Sequence, residues 1–215
     1  FQTALKIDPV DAEALYWLAR VYQDQKKSGE AEETLIRATH LRPSDYSVHN
    51  NLGVFYYNRH RHEKAVKPLR RAVTLAPDYV IGLINLGSIF YFLKRWDEAR
   101  PLFEHSLSIE PTYEAYSNLG TLYFYQGLYD LSTDMFKKAL EIEDSDYKIW
   151  GHLGESYYWT PGRDQAKPCY NRAVKLAEAE IMNDPDSTEI LSLLAFYYNR
   201  LGKRSESEAL LKTVL

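Results

Sequence analysis

Arg59-His60-Arg61-His62-Glu63 is the run in this sequence where imidazoles cluster, and two imidazoles so close together are the raw material of a metal site. A stable site needs at least a third donor, and none follows at metal-ligand spacing. Cys169 is the sole cysteine, which removes any intrachain disulfide and any cysteine metal cluster. A nucleophilic thiol needs a base or cation to lower its pKa, whereas Cys169 stands between Pro168 and Tyr170 and reads as a packing thiol. The sequence has no phosphate-cradling glycine loop, no metalloprotease helix motif and no serine nucleophile elbow. It therefore offers no catalytic residue, cofactor site or metal site, and the segment is expected not to be an enzyme in its own right. The remaining chemistry is that of binding, by side-chain amides and aromatic rings.

Composition narrows the partners. The formal net charge of −4 argues against nucleic acid or an anionic membrane as the main surface met. No apolar run approaches the roughly 20 residues that span a bilayer. A reducing, cytoplasmic setting is compatible with the lone cysteine. Tyrosine dominates the aromatics, 18 residues against 8 Phe and 4 Trp. Rings with one polar edge suit a protein that packs helices and also shows half-buried surface.

The elements that must position these groups are set by an internal repeat. Leucine followed by a small residue occurs at Leu18-Ala19, Leu52-Gly53, Leu86-Gly87, Leu119-Gly120, Leu153-Gly154 and Leu194-Ala195, with the leucines 34, 34, 33, 34 and 41 residues apart. Four residues after each leucine stands an aromatic: Tyr22, Tyr56, Phe90, Tyr123, Tyr157 and Tyr198. Nine further on is a small residue (Ala31, Ala65, Ala99, Ser132, Ala166, Ser207), and then a bulky one (Leu35, Leu69, Phe103, Phe136, Tyr170, Leu211). Leucine and an aromatic four apart share one helical face. The small residues let neighbouring helices approach, and Pro43, Pro77 and Pro111 end the second helix of a pair.

The pattern resembles the tetratricopeptide repeat family over essentially the whole chain: Leu-Gly, aromatic, Ala, bulky, Ala, Pro in 34 residues. The resemblance implies an all-α, right-handed superhelical solenoid of antiparallel helix pairs. Repeats fall at 12–45, 46–79, 80–112, 113–146, 147–187 and 188–215. Residues 1–11 match the end of an earlier repeat at Phe1, Ala4 and Pro9. The chain so divided starts and stops inside repeats and reads as a piece of a longer protein, whose uncapped terminal helices offer self-association end to end. Repeat 80–112 is one residue short after Pro111, which predicts a tightened turn. Repeat 147–187 carries seven extra residues within 176–182, predicting a second helix extended by about two turns.

In this family the first helices line the concave face, where a protein or peptide partner would lie. Carried over, Asn51, Asn85 and Asn118 occupy one inner position in three successive repeats, with His152 at the same position in the next. The row is similar to the repeat lining of O-linked N-acetylglucosamine transferases. An amide both donates and accepts, so such a row suits a peptide backbone; the alternative is that these amides bond within their own stack. Tyr57, Tyr91, Phe92, Phe124, Tyr125, Tyr158 and Trp159 fall on two further inner positions and offer a ring surface for apolar side chains, about half of them expected to face solvent. Asn118, Lys148 and His152 echo part of a carboxylate clamp found in some relatives, but Ile84 and Ser88 stand where its first two polar residues belong, which disfavours a receptor for chaperone tails. Lys148 with His152 is expected to attract an acidic group, more so below the histidine pKa. His49 takes a packing position and reads as structural. The segment 183–203 also resembles, more faintly, repeat tails of bacterial serine/threonine kinases and nucleotide cyclases. The expected function is a scaffold binding an extended peptide or short helix, the alternative being a regulatory or substrate-recruiting arm of a larger kinase, cyclase or glycosyltransferase.

Overall fold

The computed structural model describes residues 11–214, which form twelve α-helices joined by short turns, with no strand among them. In order, α1 is Ala12–Asp24, α2 Ser28–Leu41, α3 Tyr46–Tyr57, α4 His62–Leu75, α5 Val80–Phe92 and α6 Trp96–Ile109. They are followed by α7 Tyr113–Tyr125, α8 Tyr129–Ile142, α9 Tyr147–Tyr158, α10 Ala166–Ile181, α11 Thr188–Arg200 and α12 Arg204–Val214. The earlier half-repeat expected from Phe1, Ala4 and Pro9 lies outside the described residues. The chain divides into two compact units, one ending at Glu110 and the other starting at Pro111. That division falls in the turn 110–112, one residue shorter than the turn 76–79 between α4 and α5.

Local chemistry explains the helix ends. Asp11, Asp45, Thr112 and Asp146 cap the first helices: Asp45 Oδ1 accepts from Ser47 N at 2.9 Å and Asp146 Oδ1 from Lys148 N at 2.7 Å. At the other end, the backbone N–H of Lys27, Arg61, Arg95, Leu128 and Lys203 donates to a carbonyl five residues back. This is the Schellman arrangement, which requires a left-handed residue just before the donor. Gly127 and Gly202 supply it without strain, whereas Lys26, His60 and Lys94 adopt φ of 59°, 56° and 58° as non-glycine residues. His60 is thus fixed by a turn.

Within each pair, the helices pack at the small residues. Ala19, Ala31, Ala65, Ala99 and Ala173 are fully buried. Where serine replaces alanine, its hydroxyl is satisfied: Ser132 Oγ donates to Gly120 O at 2.8 Å and Ser207 Oγ to Ala195 O at 2.7 Å, the same bond in two repeats. In the second unit, Phe136, Ile149, Leu153 and Cys169 form one cluster, and Tyr170, Val174, Leu194 and Tyr197 belong to the next. The first helices α1, α3 and α5 pack successively on one another, as do α7 and α9, while ion pairs such as Lys64–Glu32 and Arg70–Glu98 join second helices.

The insertion in repeat 147–187 is shared between helix and loop. A 310 turn, Arg163–Gln165, runs directly into the 16-residue α10, where the four earlier second helices have 14 residues each. The stretch gains about one and a half turns rather than two, because Asn183-Asp184-Pro185 ends it: proline disfavours helix at the residue before it. Ala177 is fully buried and Ile181 packs on the same cluster, so the added turns keep the inward face.

Candidate functional site

In the first unit, the amide row sits on α3 and α5. Asn51 is half-buried, makes no side-chain hydrogen bond among the described residues, and borders a cavity of about 410 Å³ together with Asp11, Glu13, Tyr16, Arg42 and Ser47. Asn85 is also half-buried, and its Nδ2 donates to Asn50 Oδ1 at 3.0 Å. Asn50, itself 6% exposed, therefore ties the row between helices, a role that sequence reasoning missed. The doubled Asn50-Asn51 was the available signal. One asparagine is thus partly engaged within the stack and the other open. Tyr57 and Tyr91 are half-buried; the Tyr57 ring lies 5.6 Å from Phe92 and 5.9 Å from His62. His62 stacks flat on Phe92, with centroids 5.0 Å apart and planes at 6°, so its imidazole serves as a ring in an aromatic edge. Among the described residues no group of three or more His, Cys, Asp or Glu is placed to hold a metal. His49 is half-buried with Nε2 3.0 Å from Pro43 O, the structural role expected of it.

In the second unit, Asn118 on α7 is half-buried, while Lys148 and His152 lie on α9. Lys148 Nζ is 2.5 Å from Glu189 Oε1, and this hydrogen bond holds its pKa above the ordinary value. His152 is exposed, and its ring stacks on Phe136 at 5.6 Å. Loss of water around it pushes its pKa down, despite the nearby Asp146 and Glu155. The pair thus presents less unpaired positive charge near neutrality than its sequence suggests. Phe124 lies 5.5 Å from Tyr129, which stacks on Trp159 at 5.9 Å and 20°. Tyr158 is covered by two guanidiniums, Arg163 at 4.0 Å and Arg200 at 4.5 Å. Of the seven inner-position rings, Phe92, Tyr125 and Trp159 are exposed at 48%, 57% and 55%, and the other four are half-buried. Tyr129 and His62 were missed as members of these edges because both begin second helices. The recurrence of an aromatic there, His62, Trp96 and Tyr129, was the signal.

The tyrosine surplus has a physical use. Tyr56 donates to Glu32 at 2.9 Å, and Tyr113, Tyr170 and Tyr198 donate to Asp146, Glu155 and Glu178. Glu155 is also gripped by Arg200, with Nε 2.7 Å from Oε1 and Nη2 2.7 Å from Oε2. These bonds bridge helices while the rings pack. Cys169 is buried, and that burial pushes its thiol up to about 11.

Comparison with known proteins agrees with this geometry. The chain is 25% identical over 193 residues to human protein O-mannosyl-transferase TMTC3, covering 82% of this chain and 21% of that one. It is 25% identical over 169 residues to mouse PEX5-related protein, covering 71% and 29%. The chain thus spans only about a fifth to a third of these relatives. Among solved structures, a crystal structure of MamA superposes with a TM-score of 0.70 at 17% identity, covering 80% of this chain and 94% of that chain. YrrB, described as a TPR protein with an unusual peptide-binding site, superposes with a TM-score of 0.68 at 17% identity, covering 82% and 91%. No helix among the described residues is long and apolar enough to cross a membrane. Tetratricopeptide repeat models match residues 1–33, 44–110 and 113–146, and with the paired helices, buried small residues and repeated caps they establish that this chain belongs to the tetratricopeptide repeat family.

Proposed function

We propose that this chain is a protein-interaction scaffold whose first helices receive an extended peptide or short helix of a partner. The observation that carries the proposal is Asn51: a half-buried amide with no partner among the described residues, at the mouth of a cavity that also gathers carboxylate, guanidinium, phenol and hydroxyl groups. Unsatisfied amides beside a cleft suit peptide N–H and C=O groups, and exposed Phe92, Tyr125 and Trp159 suit apolar side chains. Asn118 and His152 continue the row on the second unit, where Lys148 would first have to leave Glu189. YrrB, with its peptide-binding site, supports the reading by fold alone.

The test is a peptide selected from a random library against the chain, with binding read by fluorescence anisotropy. Asn51→Ala is expected to weaken it about ten-fold, in line with loss of buried polar contacts, without changing the melting curve. Asn85→Ala should also lower the melting temperature, because it breaks the bond to Asn50. Unchanged affinity in Asn51→Ala would remove the proposal.

The second reading, a recruiting arm of a larger enzyme, is favoured by the O-mannosyl-transferase relatives, of which this chain spans about a fifth. Sequencing the parent gene on both sides decides it. A flanking catalytic domain supports it, and repeats alone exclude it.

A further inference from the structure

A larger groove in the first unit is lined by residues of α2, α3 and α4. Between α2 and α4, which the Lys64–Glu32 ion pair bridges, residues of α3 line this groove of about 1070 Å³. Ile36 and Val66 form its half-buried apolar walls, and Leu52, Tyr56 and Pro68 are buried beneath them. Its lining also carries Lys64, Lys67, Arg70 and Arg71, all exposed and all from one face of α4, against a single carboxylate, Glu63. Four fixed cations on one groove stand out in a chain of net charge −4.

Two of them are already compensated: Lys64 lies 3.6 Å from Glu32 and Arg70 3.1 Å from Glu98. Lys67 and Arg71 have no carboxylate partner among the described residues; Arg71 reaches only the Pro43 carbonyl, at 3.5 Å. These two stand one helical turn apart, on the same side of α4. An apolar trough between two helices, with uncompensated positive charge along one edge, complements an amphipathic helix whose apolar stripe is flanked by carboxylates. The geometry points to this groove as the docking site for an acidic amphipathic helix of a partner protein. It does not depend on the peptide reading of the first-helix face.

The test displays on phage a library of peptides about 18 residues long, with apolar residues at i, i+3, i+4 and i+7 and the rest drawn equally from Glu, Lys, Gln and Ala. Selection against the chain should enrich Glu beside the apolar stripe. The selected peptide, labelled for anisotropy, should bind saturably and more weakly as salt rises. Lys67→Glu with Arg71→Glu should weaken it about ten-fold or more, Lys67→Gln with Arg71→Gln less, and Asn51→Ala not at all. Thermal melts of each variant separate lost binding from lost fold. Several results overturn the inference: no enrichment, enrichment of Lys, or affinity indifferent to the charge reversal. Undiminished binding after serine replaces the apolar residues would mean that charge alone is recognised, as by an anionic lipid or nucleic acid. A dimer in sedimentation that the reversal dissolves would assign the groove to a second copy of this chain instead.

Discussion

Gly87→Ala is the most direct probe of how these helix pairs close. A Cβ built at Gly87 stands 2.6 Å from Phe103 Cε1, 2.9 Å from Cζ and 3.0 Å from Cδ1. Carbon atoms rest at about 3.5 Å or more, so the ring must retreat by roughly 0.5–1 Å. Phe103 is fully buried, and such overpacking costs about 1–3 kcal/mol. Alanine's better helix propensity returns roughly 0.8–1 kcal/mol, leaving a net loss of about 1 kcal/mol, up to 2. Gly53→Ala behaves differently although its Cβ meets Leu69 Cγ at 2.3 Å. The first described repeat already combines buried Ala19 with buried Leu35 at these positions, so a leucine can adopt a rotamer that accepts the methyl. The expected net cost there is near zero. Urea unfolding followed by circular dichroism measures both, with unchanged slope as the check that only stability moved. Phe103→Leu should partly rescue Gly87→Ala, giving a favourable coupling in a double-mutant cycle. Equal costs at Gly53 and Gly87, or no rescue, would refute the close-approach account.

Other perturbations follow from named contacts. Lys94→Gly should stabilise the first unit by roughly 0.5–1 kcal/mol, because removing a left-handed lysine outweighs the added freedom of glycine in the unfolded chain; urea midpoints would show it, and a loss would contradict the turn geometry. Burial pushes the Glu32 carboxyl up, but the Tyr56 hydroxyl, Lys64 and Arg61 outweigh it and hold the pKa below the ordinary 4.5. A lowered folded pKa adds stability above the unfolded value that disappears as pH falls through the folded one. The destabilisation of Glu32→Gln should accordingly be larger at about pH 7 than at about pH 3, and a pH-independent difference would deny the ion pair. Cys169, buried with its thiol pushed up to about 11, should react with iodoacetamide in the native protein far more slowly than in urea, as mass spectrometry can follow.

What the residue types show and hide follows the range over which each contact acts. The leucine, the aromatic four residues later and the recurring small residues are legible because they meet the same neighbour in every repeat. Contacts made once are not. Tyr56–Glu32, Arg200–Glu155 and Lys148–Glu189 join residues 24, 45 and 41 positions apart, and no local pattern selects those partners. The same limit affects the candidate site. The position of the asparagine row was legible, yet the bond from Asn85 to Asn50, which engages one amide and leaves Asn51 open, was not. Lys148 looked available because Glu189 lies in another repeat. The places of His60 and His62 were not legible either: backbone geometry makes one a turn residue and ring stacking makes the other part of an aromatic edge.

The groove between α2 and α4 is the sharpest instance. The signature residues of α4 conform to the repeat: Ala65, Leu69 and Ala72 are buried, and the lysines and arginines face out as a solvated helix surface should. Seen on one helix, that surface is ordinary. It becomes a candidate binding edge only because a groove remains between α2 and α4 and the carboxylates that neutralise Lys64 and Arg70 do not extend to Lys67 and Arg71. In a repeat protein the shared pattern builds the scaffold, so function is to be sought where one repeat leaves a charge or an amide that its neighbours do not satisfy. Asn51, Lys67 and Arg71 meet that description here.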